Sequence, residues 1–197
     1  MDHDEGMSVL LANGGFFGHF RTPTGKCSTF YLDDEVLQDK QELMEMFCRD
    51  IVAYIVKQRI MVKTIVCPQN AIRFSIVLKR MLENKTGESL GHLYVPPTGI
   101  LDCAKPSLEY SNVLILDTAC MTGKNIGRLA NLVTDCNGYV VLAAVMFNRG
   151  RETASSLLIE DLYACIEGCF EDVDSKDCRL CADGVPWDKV PQIAVSV

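Results

Sequence analysis

Apolar positions along the chain change period from segment to segment, and the changes mark strands and helices in alternation. From Glu35 to Gln58, residues Val36, Leu37, Leu43, Met44, Phe47, Ile51, Val52 and Ile55 recur at helical spacing, which predicts one long amphipathic helix. MVKTIVCP (61–68) predicts a strand, NAIRFSIVLKRMLENK (70–85) a second helix and HLYV (92–95) a short strand. PPTGILDCAKPSLEY (96–110) is a long loop, because its two proline sites forbid regular structure. NVLILD (112–117) is a strongly apolar strand, followed by a helix from about Gly123 to Thr134. YVVLAAVMF (139–147) is apolar without alternation, as parallel strands covered on both faces are. The opening SVLLANGGFFGHFRTPTGKCSTFYL (8–32) sets Gly and Pro between short aromatic runs and predicts a small irregular hairpin. The order of elements is that of an α/β fold. With 197 residues and no repeat or low-complexity linker, the chain has the length of a single domain.

Charge narrows the ligand. A net charge of −7 and a pI near 5.0 exclude a binder of the nucleic-acid backbone, which needs clustered Lys and Arg. No apolar run approaches the roughly 20 residues of a membrane span, and MDHDEG carries acids where a signal peptide carries bases, so a cytoplasmic protein is expected. In that compartment ten cysteines read as buried thiols or metal ligands rather than disulfides.

The chemistry gathers in VLILDTACMTGKNIG (113–127). A strand that turns tightly into a helix aims backbone N–H groups and the positive end of the helix dipole at one point, which suits an anion. Thr122, Gly123, Lys124 and Asn125 would line it, and Asp117 would accept hydrogen bonds from a hydroxyl of the same ligand or hold a metal beside its phosphate. A nucleotide P-loop is excluded, because its first Gly would fall on Thr118 and its final Ser or Thr on Asn125. The competing reading is a plain strand, turn and helix in which Thr122 merely caps the helix.

VLILDTACMTGKNIGRLANL, followed by GYVVLAAVMFNRG, resembles the phosphoribosyl-diphosphate motif of the type I phosphoribosyltransferases. GHFRTPTGKCSTFYLDDEVL, near the start, resembles the corresponding segment of orotate phosphoribosyltransferases. The resemblance implies a central parallel sheet flanked by helices under a small N-terminal hood, here about residues 8–33, with a cysteine-bearing tail over about 160–197. It implies transfer of a 5-phosphoribosyl group from phosphoribosyl diphosphate, with Mg²⁺, to a nitrogenous, pyrimidine-like base. Its partners are then small molecules, with neither nucleic acid nor membrane, and a homodimer is the assembly to test. It places the 5-phosphate on Thr122 to Asn125, a ribose hydroxyl on Asp117, and Lys26, Phe30 and Tyr31 toward the base and the diphosphate. The chain departs from the family at three places. Thr118 stands where a second acid is usual, the pyrophosphate loop offers Gln69, Asn70, Ala71 and Arg73 without Gly, and the long loop has only Lys105 as a base. These departures raise an alternative: a domain that binds phosphoribosyl diphosphate or a nucleotide with little or no turnover.

In the tail, Cys178-x-x-Cys181 has zinc-knuckle spacing, and Cys165 with Cys169 could add two thiolates from one helical face. A structural zinc ion is expected on that basis, against the alternative that these are buried or unligated thiols; a zinc-stabilised interaction protein is the third functional reading. His3, His19 and His92 are scattered with no nucleophile beside them, which leaves a His-dependent hydrolase without support. Met44, Met46, Met61, Met81 and Met121 read as core filling, DSKD (174–177) as a solvated turn and Arg149 as a solvated residue at a strand end.

Overall fold

The computed structural model describes residues 3–22, 25–96, 107–150, 152–170 and 172–188. Lys105, most of the long loop and the last nine residues of the tail lie outside them. The chain opens with a helix, α1 (His3–Ala12), where a hairpin was expected from residue 8. Leu10 on this helix is fully buried, so its packing sets the conformation that the following glycines end. The hairpin follows as antiparallel β1 (Gly15–Arg21) and β2 (Cys27–Leu32), and its register shifts between Phe17 and Phe20.

The predicted long helix is two: α2 (Asp34–Asp39) and α3 (Gln41–Gln58), separated by an extended Lys40 with φ −94° and ψ 96°. Leu37 and Leu43, both buried, are six residues apart and would point about 120° away from each other on one continuous helix. The break at Lys40 turns both inward, and the Asp33 side chain caps α2 by accepting from the Val36 N–H.

From there strand and helix alternate: β3 (Thr64–Pro68), a one-turn 3₁₀ segment (Gln69–Ala71), α4 (Ile72–Thr86), β4 (Gly91–Val95), β5 (Asn112–Cys120), α5 (Lys124–Asp135), β6 (Tyr139–Asn148), α6 (Ala154–Leu157) and β7 (Leu162–Glu167). A second 3₁₀ turn (Ser175–Asp177) and α7 (Arg179–Ala182) follow. The five strands form one parallel sheet in the order β4-β3-β5-β6-β7. Alternation sorts its side chains into two layers. Ile65, Cys67, Leu114, Leu116, Leu142, Ala144 and Met146 pack with α3 and α4. Val66, Val113, Ile115, Ala143 and Val145 pack with α5 on the opposite face.

The tail departs most from expectation. Cys165 lies on strand β7, whose neighbours alternate in direction, so Cys165 and Cys169 share no helical face. The first part of the presumed appendage is therefore an edge strand of the main sheet. Among the described residues, no helix is long and apolar enough to cross a membrane.

Candidate active site

The strand order reverses direction between β3 and β5: from β3 the chain goes out to the β4 edge, then returns to add β5, β6 and β7 on the other side. Helices after such neighbouring strands leave toward opposite faces of the sheet, and the crevice beyond the strand ends is the usual ligand position of an open parallel sheet. Here β3 and β5 pair only from Thr64–Val113 to Val66–Ile115, after which they diverge.

Asp117 lies at this point on β5, 1% exposed. Its Oδ1 accepts from the Thr118 N–H at 2.7 Å and from Asn70 Nδ2 at 3.4 Å, while Oδ2 accepts from Asn125 Nδ2 at 3.4 Å. Asn70 also donates to Thr118 Oγ1 at 3.2 Å, so one amide spans the gap between β3 and β5. A buried carboxylate requires such donors. The two contacts at 3.4 Å are long and correspondingly weak.

Strand β5 continues three residues beyond Asp117, to Cys120, before the chain turns. Gly123 occupies the N-cap of α5 with φ +62° and has no side chain with which to cap it. Thr122 is thus not a helix cap. The left-handed backbone at Gly123 favours glycine, and a Cβ there would also run into Leu157. Gly150 is required for another reason: its backbone lies directly on the Met121 carbonyl, where any Cβ would collide. The Arg149 and Gly150 N–H groups both donate to Cys120 O, at 2.7 and 3.3 Å, which fixes the turn after β5 against the end of β6.

These parts enclose a cleft of about 750 Å³. Asp117, Thr122, Gly123, Lys124 and Asn125 line it from the sheet, Lys26 from the hood, and Arg149, Phe170 and Asp172 from the far side. Burial pushes the Cys120 thiol on its wall up to about 11, which keeps it protonated and inert at neutral pH.

Other expected residues lie elsewhere. Phe30 is 1% exposed, with one ring face stacked on Phe170 at 4.5 Å and its edges against Phe17 and Phe147. It belongs to the core and has no face for a base. Tyr31 packs against Phe16 and Phe20 within the hairpin, away from the cleft lining. Arg73 is on the outer surface of α4, ion-paired with Asp39 of α2. Among the described residues, the aromatic ring lining the cleft is Phe170, which follows β7 in a segment of no regular periodicity.

Arg149 is a further correction, because it is 7% exposed rather than solvated. Its guanidinium donates to Asp172 Oδ1 at 2.7 Å, to Ser28 Oγ and to Phe170 O at 3.1 Å. Burial draws Arg149 below its ordinary value and Asp172 opposes that shift. A fourth contact runs to Met121 Sδ at 3.5 Å; the arginine thereby joins the hood, the cleft wall and the tail, and these partners are too far away in sequence for spacing to suggest them.

The expected four-cysteine set is not assembled. Cys165 is buried against α3, its thiol pointing at Phe47 O at 3.7 Å, and burial drives that thiol well above its ordinary value. Cys169 is exposed. Cys178 and Cys181 instead meet His19 and Cys27 of the hood, and the four potential ligand atoms lie within 4.8 Å of one another. The register shift in β1 turns His19 toward the tail, a reorientation that strand alternation does not reveal.

No family model matches the sequence. An orotate phosphoribosyltransferase of Caldicellulosiruptor saccharolyticus is 25% identical over 174 residues, 86% of this chain and 85% of that protein. Among solved structures, orotate phosphoribosyltransferase of Mycobacterium tuberculosis superposes with a TM-score of 0.64 at 13% identity, over 83% of this chain and 94% of that one. Adenine phosphoribosyltransferase of Saccharomyces cerevisiae superposes with a TM-score of 0.63 at 15% identity, over 82% and 98%. In sequence the chain is similar to an orotate phosphoribosyltransferase, and its architecture is that of the type I phosphoribosyltransferase fold.

Proposed function

We propose that the protein is a phosphoribosyltransferase that moves a 5-phosphoribosyl group between phosphoribosyl diphosphate and a nitrogenous, pyrimidine-like base. The observation that carries this reading is the glycine-capped start of α5 beside buried Asp117 in one cleft at the reversal of strand order. The 25% identity to an orotate phosphoribosyltransferase adds to it. The N–H groups of the Thr122–Asn125 turn would hold the 5-phosphate, with the helix dipole favouring its charge. Asp117 would take a ribose hydroxyl, exchanging its long contacts with Asn70 and Asn125 for a charge-assisted bond. Phe170 offers the base an aromatic face at the cleft in place of Phe30 and Tyr31.

Breaking the bond at the anomeric carbon builds positive charge on the ribose and negative charge on departing pyrophosphate. Lys26, brought to the cleft by the hood, is placed to stabilise the leaving group, and loss of one preorganised donor of this kind costs roughly 10²-fold or more in rate. The donor set fits Mg²⁺ that arrives with the diphosphate, since Mg²⁺ uses one or two carboxylates together with substrate phosphates. Asp117 would hold it from the cleft wall, and the ion would neutralise charge on the diphosphate. A second reading, a binder or sensor with weak turnover, is favoured by Thr118 in place of an acid and by the pairing of Arg73 with Asp39 outside the cleft.

The test is calorimetric titration with phosphoribosyl diphosphate, nucleoside monophosphates and free bases, followed by a pyrophosphate-release assay on the ligands that bind. Binding with release supports the enzyme; binding without release for any base supports the sensor. No binding of a phosphoribosylated ligand at millimolar concentration overturns both.

A further inference from the structure

We propose that His19, Cys27, Cys178 and Cys181 form a structural zinc site that clamps the hood to the tail. The separations suit a tetrahedral ion. Zinc–sulfur and zinc–nitrogen bonds of about 2.3 and 2.0–2.1 Å put tetrahedral ligand atoms roughly 3.5–3.8 Å apart. Cys27 Sγ and Cys181 Sγ are 3.5 Å apart, and His19 Nε2 is 3.6 Å from Cys178 Sγ and 3.5 Å from Cys181 Sγ. A disulfide would use two of the three thiols and leave the third sulfur and the imidazole aimed at it without a purpose.

The surroundings are those of a metal ligand set. His19 Nδ1 lies 3.0 Å from Val185 O, which can only accept, so Nδ1 carries the proton and the Nε2 lone pair faces the sulfurs. Trp187 stacks on the imidazole with centroids 4.0 Å apart and holds the ring plane. His19, Cys27 and Cys178 are buried and Cys181 half-buried, and four protein ligands leave no open coordination position, which makes the site structural. Three thiolates and one imidazole in a tetrahedron select zinc over harder cations.

The ligands come from three places: the irregular register of β1, the first residue of β2 and the short turn before and within α7. The ion thus joins residues more than 150 positions apart, and Cys27 is the chain neighbour of Lys26, which faces the cleft. The clamp holds the start of β2, immediately before which Lys26 lies.

Metal analysis of full-length protein expressed with zinc and purified without chelator should give about one zinc per chain. His19→Ala and Cys27→Ser should lose it, and His19→Cys, which makes a four-thiolate set, should retain it. Cys165→Ser and Cys169→Ser should keep full occupancy. Wild-type protein stripped of metal and refilled with Co²⁺ should show intense tetrahedral d–d bands with thiolate-to-cobalt charge transfer, a readout independent of whether the variants fold. Zinc-free wild-type protein, iron in its place, an octahedral cobalt spectrum, full zinc in Cys27→Ser, or zinc lost from Cys165→Ser would each overturn the proposal.

Discussion

Asp117 and Thr118 are adjacent and both buried, yet their tasks differ. Asp117 is ionisable and accepts a short bond from the Thr118 N–H and weaker ones from Asn70 and Asn125, whereas Thr118 Oγ1 is neutral and accepts from Asn70. A hydroxyl held by an ionised acceptor gains about 1.5–3 kcal/mol, and a neutral contact nearer 1 kcal/mol. Asp117→Asn should therefore weaken ribose 5-phosphate binding roughly tenfold or more, and Thr118→Ala by less. Thr118→Asp should tighten binding when Mg²⁺ is present and destabilise the free protein, because it buries a second carboxylate beside the first. Calorimetry on the three variants measures the order, and an Asp117→Asn protein that binds like wild type would sink the assignment. Asp117, Thr122, Gly123, Lys124 and Asn125 were legible in the sequence because one contiguous strand, turn and helix carries them. Phe170 and Asp172 were not, since they reach the cleft through the path of the chain after β7.

At the scale of elements, the turn into α5 and the pairing of α3 with β7 carry the consequences. Gly123→Ala would force a left-handed alanine against Leu157, at about 1–2 kcal/mol for the backbone alone. The turn should respond by shifting, with a loss of phosphate affinity that exceeds the fall in melting temperature expected from strain, and titration with inorganic phosphate checks this. On the other side of the sheet, Tyr54 donates to Asp161 and Tyr163 donates to Asp50, each at 2.7 Å, with the two rings stacked at 4.1 Å. Burial together with Asp161 raises Tyr54 from 10.0 to about 12, and burial with Asp50 raises Tyr163 further. Because both folded values lie above the unfolded one, the stability they contribute is fully present below about pH 10 and is lost as pH rises through 12 and above. Denaturant midpoints between pH 9 and 12 should fall more for wild type than for the Tyr54→Phe, Tyr163→Phe double variant; parallel curves would refute the linkage. The helical period of α3 was visible in the sequence, but the break at Lys40 and the strand character of β7 were not. Both are set by burial in three dimensions: α2 and α3 turn separate faces to the core, and β7 is too short for its alternation to outweigh the cysteine spacing.

Across the whole molecule, the alternation of strand and helix disclosed the parallel sheet, while the relation of hood to tail depended on contacts no local pattern encodes. Cys27 and Val173 exchange both backbone hydrogen bonds, at 2.8 and 3.0 Å. The His19 N–H donates to Asp188 Oδ2 and the Asp188 N–H to His19 O, both at 2.7 Å. Removing the carboxylate in Asp188→Ala should loosen the hairpin locally, so that limited proteolysis within the hood accelerates roughly tenfold while the sheet stays protected. Unchanged hood cleavage would show that the tail does not hold it. This closure has a consequence for synthesis. A ribosome adding roughly 5–20 residues per second makes Val173 on the order of ten seconds after Cys27, since 146 residues separate them. Through that interval Phe17 and Phe30 have left the ribosome ahead of their partner Phe170, and a nascent chain can assemble β3 to β6 before its hood is fastened. The cleft is therefore completed late, by Phe170 and Asp172, which are translated well after the strands that form its floor, and a nascent chain that lacks them has strands without a finished binding site.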